Sequence, residues 1–197
     1  MRRFTLILAL IPLLLLSALR AEECNSYDDD WFRMNRLGIG LGYVEGNLDP
    51  PFNDYQAIPL FLHVGMDINH IFGWGCSWGQ LTLAFEPFWN TLVEPEWNVE
   101  GGFTLKLGYD YQFCNAFAVY LAGGAGPGFL NVDTMEQGNQ GFNFFDEFEA
   151  GMRYFYDDCH SIGLGYRGRH ISHAGVRDEG NSGINSHGLI MTLMTHY

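Results

Sequence analysis

The 197-residue chain reads as all-β, an eight-stranded antiparallel up-and-down transmembrane β-barrel. Three observations predict this. Eight runs of apolar/polar alternation follow one another, with charged residues kept to one phase. The chain carries 25 glycines and 16% aromatics, yet its mean hydropathy is close to neutral, as expected where half of each strand faces lipid and half faces a polar lumen. Beyond the N-terminal leader no apolar run is long enough to cross a bilayer as a helix, so a membrane crossing has to be made by strands.

Residues 1–21 have a basic start at Arg2 and Arg3, an apolar centre and a small residue at Ala21. That is the pattern of a secretory signal peptide cut before Glu22. Residues 22–35 are expected to form an N-terminal periplasmic extension, and residues 36–197 the barrel, with no linker or low-complexity break between them. The formal charge is −13, and losing Arg2, Arg3 and Arg20 with the leader makes the mature chain more acidic still. So acidic a balance argues against a nucleic-acid partner.

The strands can be taken in order. Leu37, Ile39, Leu41 and Tyr43 alternate with glycines. Ile58, Leu60, Leu62, Val64 and Met66 alternate with Pro59, Phe61, His63, Gly65 and Asp67. Leu81, Leu83, Phe85 and Trp89 oppose Gln80, Thr82, Glu86 and Asn90. Phe103, Leu105, Leu107, Tyr109 and Tyr111 oppose Thr104, Lys106, Gly108, Asp110 and Gln112. Phe117, Val119 and Leu121 alternate with alanines, and Phe142, Phe144, Phe148, Met152 and Tyr154 with Asn143, Glu147, Glu149 and Arg153. Two further strands lie in 160–172 and 184–197. An eight-stranded barrel has an interior just wide enough to be filled by side chains. His63, Asp67, Glu86, Lys106, Asp110, Glu147, Glu149, Arg153, Arg167 and Arg169 are expected to fill it as paired charges, which disfavours a small channel. The terminal Tyr197 shares the outward phase of Leu189, Met191 and Leu193 and fits an interfacial girdle.

Connection length suggests orientation, because barrels of this class have short periplasmic turns and longer external loops. Residues 113–116, 157–160 and 69–79 read as the periplasmic turns, and 45–56, 90–101, 125–141 and 173–184 as the external loops. Cys76, Cys114 and Cys159 fall in the former set, and Cys24 in the extension on the same side. An even count in an oxidising compartment argues for disulfides. Three pairings exist, of which Cys24–Cys76 with Cys114–Cys159 joins segments that neighbour each other around the rim. No CxxC or Cys/His spacing suggests zinc, and no metal site is expected.

The candidate chemistry is in the penultimate strand, HSIGLGYRGRHIS. Ile162, Leu164, Tyr166, His170 and Ser172 share its lipid-facing side, while Gly163, Gly165, Arg167 and Arg169 share the other. His170 and Ser172 lie two residues apart at the end of the lipid-facing stripe, so their side chains point the same way. A serine with a base beside it, aimed at the bilayer, suggests acyl chemistry on a lipid.

LGYRGRHISHAG followed by NSGINSHG resembles the C-terminal signature of the outer-membrane lipid A 3-O-deacylases, the PagL-like family, with weaker similarity through EPFWN, GGAGPGF and FDEFEAGMRYF. The resemblance covers most of the chain after about Gly38. It implies that Ser172 is the nucleophile and His170 the general base. The position of the family's orienting Glu falls on Asn185, and the Asn that follows the family's Ser is His173 here. The backbone N–H groups of Ala174 and Gly175, with His173, are oxyanion-hole candidates. An amide at 185 can hold the imidazole in one tautomer but cannot lend it a full charge; Asp178 or Glu179 could stand in.

The resemblance implies hydrolysis of the ester-linked 3-position acyl chain of lipid A, in the bacterial outer membrane, with neither metal nor organic cofactor. The partner is lipid A or lipopolysaccharide in the outer leaflet; the oligomeric state, a homodimer included, is open. Loop acids Glu94, Glu96, Asp133, Glu136, Asp178 and Glu179 would need divalent cations to meet lipid A phosphates. A second reading is a catalytically inactive barrel of the same fold, structural or lipopolysaccharide-binding.

Overall fold

The computed structural model describes residues 34–73, 79–177 and 180–197. The leader, most of the extension, Cys24, Cys76, Asp178 and Glu179 lie outside the described residues, and so do the expectations placed on them. The alternating runs form eight strands: β1 (Met34–Asn47), β2 (Asp54–Asp67), β3 (Gln80–Glu94), β4 (Asn98–Cys114), β5 (Phe117–Leu130), β6 (Gly141–Phe155), β7 (His160–Ser172) and β8 (Ile184–His196). Each pairs antiparallel with its neighbour in the chain, and β1 closes on β8, leaving no free edge. The expected fold class is therefore the observed one.

The outward phase is as the alternation predicts. Leu105, Leu107, Leu121, Leu164 and Leu189 are each more than half exposed, a burial pattern suited to lipid and unsuited to water. Tyr197 is exposed below them, its N–H donating to the Asn35 carbonyl.

The strands run further than expected at the rim opposite the two ends of the barrel, here called the distal rim. Alternation continues through Thr91–Glu94 and Gly126–Leu130, so the distal connections shrink to 48–53, 95–97, 131–140 and 173–183. On the proximal rim the connection 68–79, with its 3-10 turn at Asn69–Phe72, is longer than any of them. The contrast in length that suggested orientation is thus not present.

Inside, paired charges occupy the proximal and middle levels. Asp110 accepts from Arg36 and Arg153, each at 2.7 Å. Above it Lys106 Nζ lies 2.5 Å from Glu86, 2.6 Å from Glu147 and against Glu149, and Arg167 joins the same carboxylates. Each cation meets more than one acid or each acid more than one cation, the arrangement that burial requires. Asp67, expected among these, is only half-buried. The void ringed by Arg36, His63, Lys106 and Asp110 is about 20 Å³, room for about one water.

The distal level is different, and the charge-centred sequence reading missed it. Val44, Leu48, Leu92, Leu130, Val132, Phe145, Ile171 and Ile184 form an apolar plug, pierced by Arg169 on Glu100 at 2.5 Å. Ile171 and Ile184 face each other across β7 and β8. Their burial fixes which residues of those two strands must point outward.

The cysteine pairing needs correction. Cys114 is a free, exposed thiol, and Cys159, which is disulfide-bonded, is therefore not bonded to it. The expected Cys114–Cys159 bond does not form: Cys114 is exposed at the end of β4, whereas Cys159 is buried in the turn between β6 and β7.

Candidate active site at the distal rim

With Ile171 buried, its neighbours His170 and Ser172 must face outward, and both are half-buried on that side. Register then sets their company. On β8, Asn185 stands directly opposite His170; on β6, Asp146 stands opposite His170 and Phe144 opposite Ser172. The expected meeting of His170 with Asn185 is realised as a hydrogen bond of 2.8 Å between His170 Nδ1 and Asn185 Oδ1. An amide oxygen only accepts, so Nδ1 carries the proton and Nε2 is left with its lone pair. Among the described residues no hydrogen bond joins Ser172 Oγ to that nitrogen; apo geometry of this kind commonly tightens only with substrate bound.

The chain leaves β7 through a tight turn. Ala174 and Gly175 have φ of 51° and 71°, and Val176 N–H donates to the His173 carbonyl at 2.9 Å. Positive φ at both central residues defines a type I′ turn. Glycine adopts it freely, whereas alanine there costs about 1–2 kcal/mol. Among the described residues the N–H groups of Ala174 and Gly175 have no acceptor. Two free donors lie just beyond Ser172, available to a developing oxyanion.

His173 behaves otherwise than expected. It is fully buried, its Nε2 against the Gly180 carbonyl at 3.0 Å and its backbone N–H on Asn181 Oδ1 at 3.0 Å. Both donors serve the loop, because this side chain continues the inward phase of Arg169 and Ile171. Glu136, expected as a surface acid, is likewise buried and accepts from Asp49 N–H. Its carbonyl accepts from Ser182 N–H at 3.1 Å. Arg177 donates to the carbonyls of Gln137, at 3.0 Å, and Asn139. The connections 131–140 and 173–183 are thereby stitched together over the plug.

Three features escaped the sequence reading. Gly183 (φ +83°) packs against the His170 ring so closely that no Cβ fits. Phe144 stands beside Ser172 in an edge-to-face row with Phe142, at 5.1 Å, and Phe129, at 6.1 Å. Asp146 interrupts the apolar outward phase of β6, a break in pattern that could have flagged it. As for metal, Glu86, Glu147 and Glu149 are the described acids close enough to share a cation, but Lys106 already sits among them.

A family model described as Lipid A 3-O-deacylase (PagL) matches residues 61–193. Among solved structures, the chain is similar to one described as the outer membrane enzyme PagL, at 18% identity and a TM-score of 0.59, covering 80% of this chain and 97% of that one. It is also similar to Neisserial surface protein A, at 12% identity and a TM-score of 0.60, covering 85% and 100%. At such identities the structural likeness concerns the fold alone. No curated protein matches the sequence. Neither the family match nor the structural likeness supports the homodimer.

Proposed function

Because this chain belongs to the lipid A 3-O-deacylase (PagL) family and resides in the bacterial outer membrane, we propose that it hydrolyses the 3-position ester of lipid A by a serine–histidine mechanism, with the distal rim in the outer leaflet. The observation that carries this reading is the 2.8 Å bond from His170 to Asn185, which leaves Nε2 basic on the same outward face as Ser172. The Ser172 hydroxyl attacks the ester carbonyl as its proton passes to Nε2. Charge developing on the carbonyl oxygen is met by the N–H groups of Ala174 and Gly175. Collapse returns the proton from His170 to the departing sugar oxygen, leaving an acyl group on Ser172. Water, deprotonated by the same imidazole, then releases the fatty acid. The Phe129–Phe142–Phe144 row gives the acyl chain an apolar surface leading to the nucleophile.

Asn185 also favours a second reading, a barrel that holds lipid A without cleaving it, since an amide leaves the imidazolium without a counter-charge. Mass spectrometry of lipid A from cells with and without the protein separates the two. The esterase removes one 3-hydroxyacyl chain, and Ser172→Ala or His170→Ala stops the loss while the folded barrel remains. Unaltered lipid A in cells expressing the wild type establishes the second reading instead.

A further inference from the structure

His170 has a cross-strand neighbour on each side. Asn185 on β8 holds its Nδ1, whereas Asp146 on β6 stands opposite it with no hydrogen bond or ion pair of its own among the described residues. Side chains directly opposite each other in antiparallel strands have Cβ atoms about 4.5–5.5 Å apart. Asp146 is exposed, and the rest of its outward row is Phe142, Phe144, Phe148, Ala150, Met152 and Tyr154. A carboxylate set into such a row is costly beside lipid and makes no bond that offsets the cost.

Among the described residues the other groups around the imidazole supply no negative charge. Gly183 covers one side of the ring. Tyr166 and Ser172 flank His170 along β7, and His187, farther down β8, stacks on Tyr166 at 5.9 Å. Glu45 is one strand beyond, opposite His187 on β1. Arg177 is turned to the carbonyls of Gln137 and Asn139. Ala125 stands behind Asp146 on β5.

A base in acyl transfer needs two things from its partner: a fixed tautomer and a charge to balance the imidazolium. We propose that these two tasks are divided across the strands, Asn185 fixing the ring and Asp146 supplying the charge as a positioning residue that acts through His170. The inference rests on the serine–histidine reading above. It assigns to a barrel-wall residue what a single orienting carboxylate would otherwise do.

The test uses the full chain in detergent micelles with lipid A. Asp146→Asn is expected to lower kcat about ten-fold, the effect of a charge at this range in a half-exposed site, with KM unchanged. Asp146→Glu restores most of the rate. With Asn185→Glu present, the ring has a second source of charge, and Asp146→Asn then costs less than about two-fold. In parallel, NMR at one fixed pH records the ring nitrogen and carbon signals of His170, which Asp146→Asn is expected to displace. That measurement needs no turnover. If Ser172→Ala proves as active as wild type, or neither is active, the deacylase reading falls while the ring signals still judge Asp146. Unmoved ring signals, an effect on KM alone, or an equal loss with and without Asn185→Glu overturns the division of tasks.

Discussion

Gly183 lies against the imidazole of His170 so closely that a Cβ there would fall 2.2 Å from Cε1 and 2.8 Å from Nε2. Gly183→Ala therefore displaces the ring, and the positive φ of 83° adds backbone strain. Misplacing a catalytic group by about 1 Å costs on the order of 10²-fold in rate. Deacylation should fall by about that factor while the heat-modifiable band of the folded barrel persists on gels. Full activity would show that the ring does not need this seat.

Leu107 lies on the outward face of β4, 53% exposed, opposite Leu83 and Gly123 in the neighbouring strands. Leu107→Lys should impair assembly, at a cost of ~2–4 kcal/mol near the bilayer midplane. Gly108→Ala is the control. A Cβ there meets nothing nearer than 3.8 Å, so folding yield in lipid vesicles should match wild type.

Arg169 is buried on Glu100, whose other contacts are Tyr55 Oη at 2.6 Å and Asn90 Nδ2 at 2.7 Å. Glu100→Ala leaves the guanidinium without its counter-charge, and removing one member of a buried pair costs ~3–5 kcal/mol. The urea midpoint for unfolding from vesicles should drop accordingly. Arg169 is also the residue before His170, so activity should fall at temperatures where the variant is still folded.

Glu94, Glu96 and Asp133 are exposed at the distal rim, and in the proposed orientation they would meet lipid A phosphates only through a divalent cation. Lipopolysaccharide binding to the purified barrel should weaken with chelator and recover with magnesium. Binding that ignores both would locate the headgroup contact elsewhere.

Much of the barrel was legible because period-two alternation is a local property: each strand announces its two faces without reference to its neighbours. Charged inward residues such as Lys106 and Glu147 stood out against apolar outward ones. Phe145 and Ile171 did not, since an apolar residue in the inward phase looks like any other apolar residue, and the distal plug went unread. The meeting of His170 with Asn185 was readable because both lie on one hairpin, in a motif of recognisable spacing. The facing of His170 by Asp146 depends on the register of β6 against β7, which packing sets and no local spacing reveals. His173 was unreadable for a related reason. Alternation puts it in the inward phase of Arg169 and Ile171, but the strand ends at Ser172, and sequence does not say whether the phase carries on past a strand's end.

The stitched loops over the apolar plug have a consequence for the cell that carries this protein. An outer membrane excludes small hydrophilic solutes, and every water-filled pore added to it weakens that exclusion. Here Leu92, Leu130, Ile171 and Ile184 seal the axis at one level and the Lys106 cluster crosses it at another. Many copies can therefore be inserted without adding a water-filled path across the envelope.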